Sequence, residues 1–193
     1  VLRFPAQRRR MLDILLSQSC TSYLRDLQTY QRVLQQRNCL LREAKKKAYT
    51  QISESELGPW DNQLADFGAR IRRARFDALE MLRLPFVALY DRFSPQGESS
   101  DIRYKGVQSE CRTEDFEQAL LEELQRKRSQ EMHVGHTLCG PHRDDVSFDL
   151  NGQSADLYAS EGQLKTILIS WKLAECHYLA QRCDQQLSLI HIS

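Results

Sequence analysis

The chain has 193 residues, 41% of them hydrophobic, and its 27 Lys/Arg and 26 Asp/Glu leave a formal net charge of +1. That length admits one large domain or two small ones, and no long uncharged apolar run is available as a membrane span. Six cysteines (Cys20, Cys39, Cys111, Cys139, Cys176 and Cys183) form no C-x-x-C pair and no metal-ligand spacing, so they read as reduced, cytosolic thiols. The charge is uneven: residues 1–50 carry +8, whereas 51–100, 101–150 and 151–193 carry −2, −4 and −1. A polyanion can exploit such an asymmetry, although a solvated helix face would produce it too. The start, Val1-Leu2-Arg3-Phe4-Pro5, is neither a methionine nor a signal peptide and reads as the start of a fragment.

Pro5 to Asp13 opens the first helix. Cys20, Leu27, Leu34, Leu41 and Ala48 then recur every seven residues, flanked by Tyr23, Leu24 and Tyr30, with no Gly or Pro from Ala6 to Leu57. The pattern predicts one or two long helices, about 50 Å for ~35 residues, which need a partner to lie against. Gln51 to Gly58-Pro59 reads as a reversal. Trp60, Leu64, Phe67, Ile71, Ala74 and Ala78 step by four and three, so a second helix returns and an antiparallel hairpin is expected over residues 1–84. Arg32, Arg37 and Arg42, Lys45-Lys46-Lys47, and Arg70, Arg72, Arg73 and Arg75 lie along the two helices. Of these, Arg42, Lys45, Lys46, Lys47, Arg72 and Arg73 are the candidate contacts for a phosphate backbone, sequence-blind and salt-sensitive.

Pro85 is expected to end the hairpin, and Phe86-Val87-Ala88-Leu89-Tyr90 reads as a short strand before the turn signal Ser94-Pro95-Gln96-Gly97. Residues up to Arg112 are polar and poorly patterned. Thr113 reads as an N-cap, with Glu114, Asp115 and Glu117 in the first turn and Phe116, Leu120, Leu121 and Leu124 as the buried face. His142, Arg143, Asp144 and Asp145 form a polar cluster. It is either a loose set of oxygen and imidazole ligands or a Gly-Pro turn whose Arg143 pairs with the acids, and without ligands elsewhere no metal is assigned. Val146 to Leu150, Asn151-Gly152 and Gln153 to Tyr158 read as a β-hairpin.

The hairpin delivers the chain to Ser160-Glu161-Gly162-Gln163-Leu164-Lys165-Thr166, which opens onto Leu164, Leu168, Trp171, Ala174 and Tyr178 at helical spacing. A helix start offers unpaired N–H groups and the positive end of the dipole, so it either holds an anion or is simply capped. Ser160-x-Gly162-Gln163 resembles the signature motif of ABC-type ATPases. Together with Gly140-Pro141-His142-Arg143-Asp144-Asp145, Leu173-Ala174-Glu175, Gln36-Arg37-Asn38, Trp60-Asp61, Gln63-Leu64-Ala65 and Gly68-Ala69, it is similar to the RecF family, from about Pro5 to Cys183.

The resemblance implies a helix-rich α+β fold: a hairpin arm (1–84), part of an ABC-type head carrying a β-hairpin and the signature helix (85–183), and a tail (184–193) outside the family pattern. It implies that Ser160, Gly162 and Gln163, with Lys165 nearby, meet the γ-phosphate of ATP held by a sister subunit, with magnesium. It further implies DNA at single-strand/double-strand junctions, a homodimer formed with ATP, and RecO and RecR as partners in loading RecA. Two departures stand out. No G-x-x-x-x-G-K-[ST] occurs, and Leu187 to Ser193 is strand-like but carries no acid. The piece by itself is therefore expected neither to bind ATP tightly nor to hydrolyse it. Alternatives are another coiled-coil ABC protein of the chromosome-maintenance or Rad-fifty type, or a non-enzymatic helical interaction module.

Overall fold

The computed structural model describes residues 2–47, 52–94, 97–106 and 113–190. In chain order the elements are α1 (Pro5–Ser19), α2 (Thr21–Lys46), α3 (Glu54–Phe93), β1 (Ser100–Lys105), α4 (Thr113–Val134), β2 (Asp145–Leu150), β3 (Gln153–Ser154), α5 (Ala155–Tyr158) and α6 (Glu161–Ile190). The expected helix-rich α+β class is the one observed. Contacts divide the chain into two compact units, Val1–Cys20 with Arg75–Lys105 and Asp145–Ser193, and Thr21–Ala74 with Gly106–Asp144. This differs from the expected division after residue 84, because the chain passes between the units within α3 and the second unit takes α4 as well. Among the described residues no helix is long and apolar enough to cross a membrane.

The first unit is built on an antiparallel sheet in the order β1-β2-β3. Ile102 stands opposite Phe148 and Tyr104 opposite Val146. The β2–β3 turn is Asn151-Gly152, with φ of 50° and 76°, the left-handed pair that a tight hairpin of right-twisted strands requires. Only Gln153–Ser154 pairs, however, and the next four residues form α5 rather than continuing the strand to Tyr158. Over the sheet the Phe148 ring meets Phe86 at 5.6 Å and Trp171 edge-on at 5.4 Å, so α3 and α6 both dock on β2. Leu12, Leu15, Leu82, Ile167 and Ala174 are fully or almost fully buried around them. Arg8, only 4% exposed, is held by Asp145 at 2.6 and 3.0 Å.

The second unit contains the expected helical hairpin. Asp26 pairs with Arg70 at 3.6 Å and Arg37 with Asp61 at 2.6 Å, while Tyr30 lies beside Gly68. Partners descend along α3 as they ascend along α2, so the helices are antiparallel. A Cβ at Gly68 would come within 2.5 Å of Leu120 and 3.4 Å of Tyr30 and Pro141, which explains glycine where α2, α4 and the 141 turn converge. Leu41, Leu57 and Met132 close a core cluster, and of the four residues expected on the buried face of α4, Phe116, Leu120 and Leu124 are buried and Leu121 half-buried.

Several boundaries depart from the sequence expectation. The helix of residues 6–46 breaks once, at Cys20, which is extended (φ −149°, ψ 107°). Its seam is Tyr23, Tyr30, Val33, Arg37, Leu41 and Ala44 rather than the strict heptad, and Cys20 is exposed. Gly58-Pro59 does not break the chain: α3 starts earlier, at Glu54. There the Ser53 N–H and hydroxyl donate to the Glu56 carboxylate at 3.1 and 2.8 Å, so the glutamate reaches back as in one half of a capping box. These bonds hold the Glu56 carboxyl below its usual range. Nor does Pro85 end the helix, and Phe86–Tyr90 is not a strand. Leu82, Phe86 and Tyr90 are each fully buried at four-residue spacing, so burial of that face outweighs the lost hydrogen bond. Leu187–Ile190 continue α6 instead of forming a strand, with no helix breaker to stop them; residues 191–193 lie outside the described residues.

Candidate functional site

Ser160 stands immediately before α6, and its backbone carbonyl accepts the first intrahelical bond, from Leu164 at 2.9 Å. Its hydroxyl oxygen accepts from the Gln163 N–H at 3.2 Å, while the Ser160 N–H donates to Gln163 Oε1 at 2.7 Å. The two side chains thus cap the helix reciprocally. The N–H groups of Glu161 and Gly162, first in the helix, have no intrahelical acceptor, and both residues are exposed. Beyond its chain neighbours and the backbone of its own helix, Ser160 Oγ at 3.8 Å is the one atom among the described residues within 4 Å of where a Gly162 Cβ would stand. The turn therefore offers a hydroxyl, open backbone donors and the positive end of a 30-residue helix.

Not every signature residue points at that opening. Gln163 Nε2 donates to Glu98 Oε1, so both polar ends of this side chain are engaged within the unit. Lys165 is exposed. Glu161 forms an exposed ion pair with Arg3 at 3.1 Å.

The candidate DNA contacts separate by burial. Arg42, Lys45, Lys46 and Lys47 are exposed at the end of α2 and just beyond it. Lys45 Nζ donates to the Val134 carbonyl at 3.3 Å, and Arg42 Nε to the Asn38 carbonyl at 3.1 Å. Arg73 is half-buried. Arg72 is excluded as a surface contact: it is buried, both of its bonds to Asp144 are 2.8 Å long, and Glu123 lies 3.7 Å away. Arg37 and Arg75 are likewise buried in ion pairs. Burial of a guanidinium requires a paired carboxylate, and none is legible from spacing along one helix.

The Gly140–Asp145 string is a structural knot. The Arg143 N–H donates to the Gly140 carbonyl at 2.8 Å, closing a turn with Pro141 at its second position and Gly140 at φ 114°. Within the second unit His142 Nδ1 meets the Tyr30 hydroxyl at 2.7 Å, Asp144 takes Arg72, and Thr137 hydrogen-bonds Arg37 at 2.8 Å and Asn38 at 2.7 Å. Arg143 does not pair with the acids as expected; it reaches the Thr137 carbonyl at 3.4 Å, because each acid is taken by an arginine from another element, Asp145 by Arg8. No group of three or more potential metal ligands occurs among the described residues. The network that sequence reasoning missed is Arg37–Asp61–Arg128 with Glu131; its only trace in the sequence is that Arg37 and Asp61 fall on apolar faces.

No family model matches the chain. It is 38% identical over 179 residues to the DNA replication and repair protein RecF of Picosynechococcus sp., which covers 89% of this chain and 46% of that protein. It is 38% identical over 183 residues to RecF of Roseiflexus castenholzii, covering 92% and 46%. Among solved structures, one of the recombination mediator protein RecF-ATP in the RecFOR pathway superposes with a TM-score of 0.86 at 28% identity, over 94% of this chain and 48% of that one. The corresponding RecF-ATPrS structure gives 0.85 at 28% identity. Over about nine-tenths of its length the chain is RecF-like in both sequence and fold, and it spans about half the length of the RecF proteins it matches.

Proposed function

We propose that the protein is an ATP-dependent DNA-binding factor of recombinational repair and replication restart, in which this chain supplies the signature turn of an ABC-type head and a basic helical arm. The observation that carries the reading is the capped, exposed Ser160-x-Gly162-Gln163 turn at the start of α6, in a chain similar to a RecF solved as RecF-ATP. Bound ATP with magnesium supplies the phosphoryl charge. The residues present fit it: the Ser160 hydroxyl and the Glu161 and Gly162 N–H groups donate to a terminal phosphate carried by a sister molecule. Lys165 adds positive charge nearby, as a point charge rather than a bidentate fork. Gln163 acts on the turn itself, holding Ser160 in the capped form.

ATP-dependent association of two copies follows from a donor set that one molecule lends to the other. DNA at single-strand/double-strand junctions meets Arg42, Lys45, Lys46, Lys47 and Arg73. RecO and RecR are the partners, in the cytoplasm, in loading RecA. In the full-length protein Ser160→Arg is expected to abolish ATP-driven dimers, measured by light scattering, with monomer ATP affinity within about twofold of wild type, a change below ~0.5 kcal/mol. Persistent dimers would reject the role of the turn, and loss of monomer affinity would place the nucleotide in the same subunit.

A further inference from the structure

We propose that Glu98 is a positioning residue for the signature turn: clamped by the Tyr90 hydroxyl, it holds the Gln163 side chain so that Ser160 stays capped and Gly162 faces outward. The inference rests on the reading of that turn as a phosphate contact and adds a residue from outside the motif. The Tyr90 hydroxyl donates to Glu98 Oε2 at 2.7 Å, and Gln163 Nε2 donates to Glu98 Oε1. Gln163 Oε1 in turn accepts the Ser160 N–H at 2.7 Å. Three side chains and one backbone amide thus form an unbroken line from the middle of the first unit to the open end of α6.

Both anchors of Glu98 are rigid. Tyr90 is fully buried on α3. The next residue after Glu98 is pinned to the β-hairpin, with the Ser99 N–H donating to Asn151 Oδ1 at 2.9 Å and the Asn151 N–H to the Ser99 carbonyl at 2.8 Å. Burial, and then the carboxylate itself, push the Tyr90 phenol well above its ordinary range, so it remains a donor at any physiological pH. Glu98 forms no ion pair among the described residues; neutral donors hold it. A carboxylate beside a phosphate site opposes the phosphate, so its value there lies in its acceptor geometry, and the Gln163 amide stands between it and the turn.

The charge and the acceptor are separable. In the full-length protein Glu98→Gln keeps an acceptor oxygen for Gln163, whereas Glu98→Ala removes it. Loss of a bond to a charged group predicts that Glu98→Ala needs about tenfold more protein to dimerise at saturating ATP, and that Tyr90→Phe has a smaller effect in the same direction. Glu98→Gln restores dimerisation, and monomer ATP affinity is unchanged throughout. The Gln163 side-chain amide resonance moves in Glu98→Ala and stays in Glu98→Gln. Wild-type dimerisation by Glu98→Ala, or equal changes in the Ala and Gln variants, would overturn the proposal. Should Glu98→Ala fail to fold, Tyr90→Phe decides by the same two readouts. If Ser160→Arg leaves the dimer intact, the contact across subunits fails, and the Gln163 resonance still tests whether Glu98 holds the turn.

Discussion

Arg37 is fully buried, and its guanidinium is held by Asp61 at 2.6 Å and by Glu131 and Thr137, each at 2.8 Å. Asp61 also takes Arg128 at 2.6 Å. Removing one partner of such a set strands the others in an apolar interior, so Arg37→Ala is expected to cost ~3–5 kcal/mol in urea unfolding. A loss under about 1 kcal/mol would mean that water reaches the carboxylates. Asp101 is a second residue whose environment sets its chemistry. Burial by itself would raise its carboxyl pKa, but hydrogen bonds from Arg83 and Arg103, Arg83 charge and the Ile102 N–H outweigh that and leave it below the ordinary carboxylate value. The folded state therefore holds this proton less tightly than the unfolded chain. Its contribution is complete above the unfolded value of about 4 and is lost as pH falls through the lowered one. Asp101→Asn should flatten the acid limb of stability below about pH 4 relative to wild type, and an unchanged limb would show that other carboxylates dominate.

At the scale of elements, α3 runs for 40 residues, roughly 60 Å, through two prolines, Pro59 in its second turn and Pro85 far inside it. Pro85 cannot donate to the Met81 carbonyl, yet Leu82, Phe86 and Tyr90 keep one buried face in register across it. Replacing Pro85 with Ala restores that bond while loosening the unfolded chain, so a net gain of ~1–2 kcal/mol is expected in thermal or urea unfolding. Destabilisation would show that the proline ring itself fills space the helix needs. The same element explains why helix ends are hard to place from punctuation residues. Ser53 and Glu56 cap α3 before Gly58-Pro59 is reached, and the buried face carries the helix past Pro85.

At the scale of the whole molecule, the net +8 of the first fifty residues divides into two populations. Arg8 and Arg37 are consumed inside the fold, while Arg42, Lys45, Lys46 and Lys47 remain at the surface. In the full-length protein, changing Lys45, Lys46 and Lys47 to Glu should weaken DNA binding. It should also lower the slope of log affinity against log salt by about 2–3, as three phosphate contacts are lost. Fluorescence anisotropy over a salt series measures both, and unchanged affinity would reject the arm as a DNA contact. Much of this architecture was legible beforehand. The Asn151-Gly152 turn, the α4 face of Phe116, Leu120 and Leu124, the antiparallel hairpin and the capped start of α6 all follow from short-range rules: backbone freedom, side-chain period and the orphan donors of a first turn. What only the tertiary structure decided is where charges are spent. Arg72 and Asp144 are 72 positions apart and Arg37 and Thr137 are 100 apart, and no local pattern announces a buried ion pair, because its stability comes from desolvated partners brought together by the fold. Glu98 belongs to that second class, since its role near Ser160 exists only where α3, the β-hairpin and α6 converge.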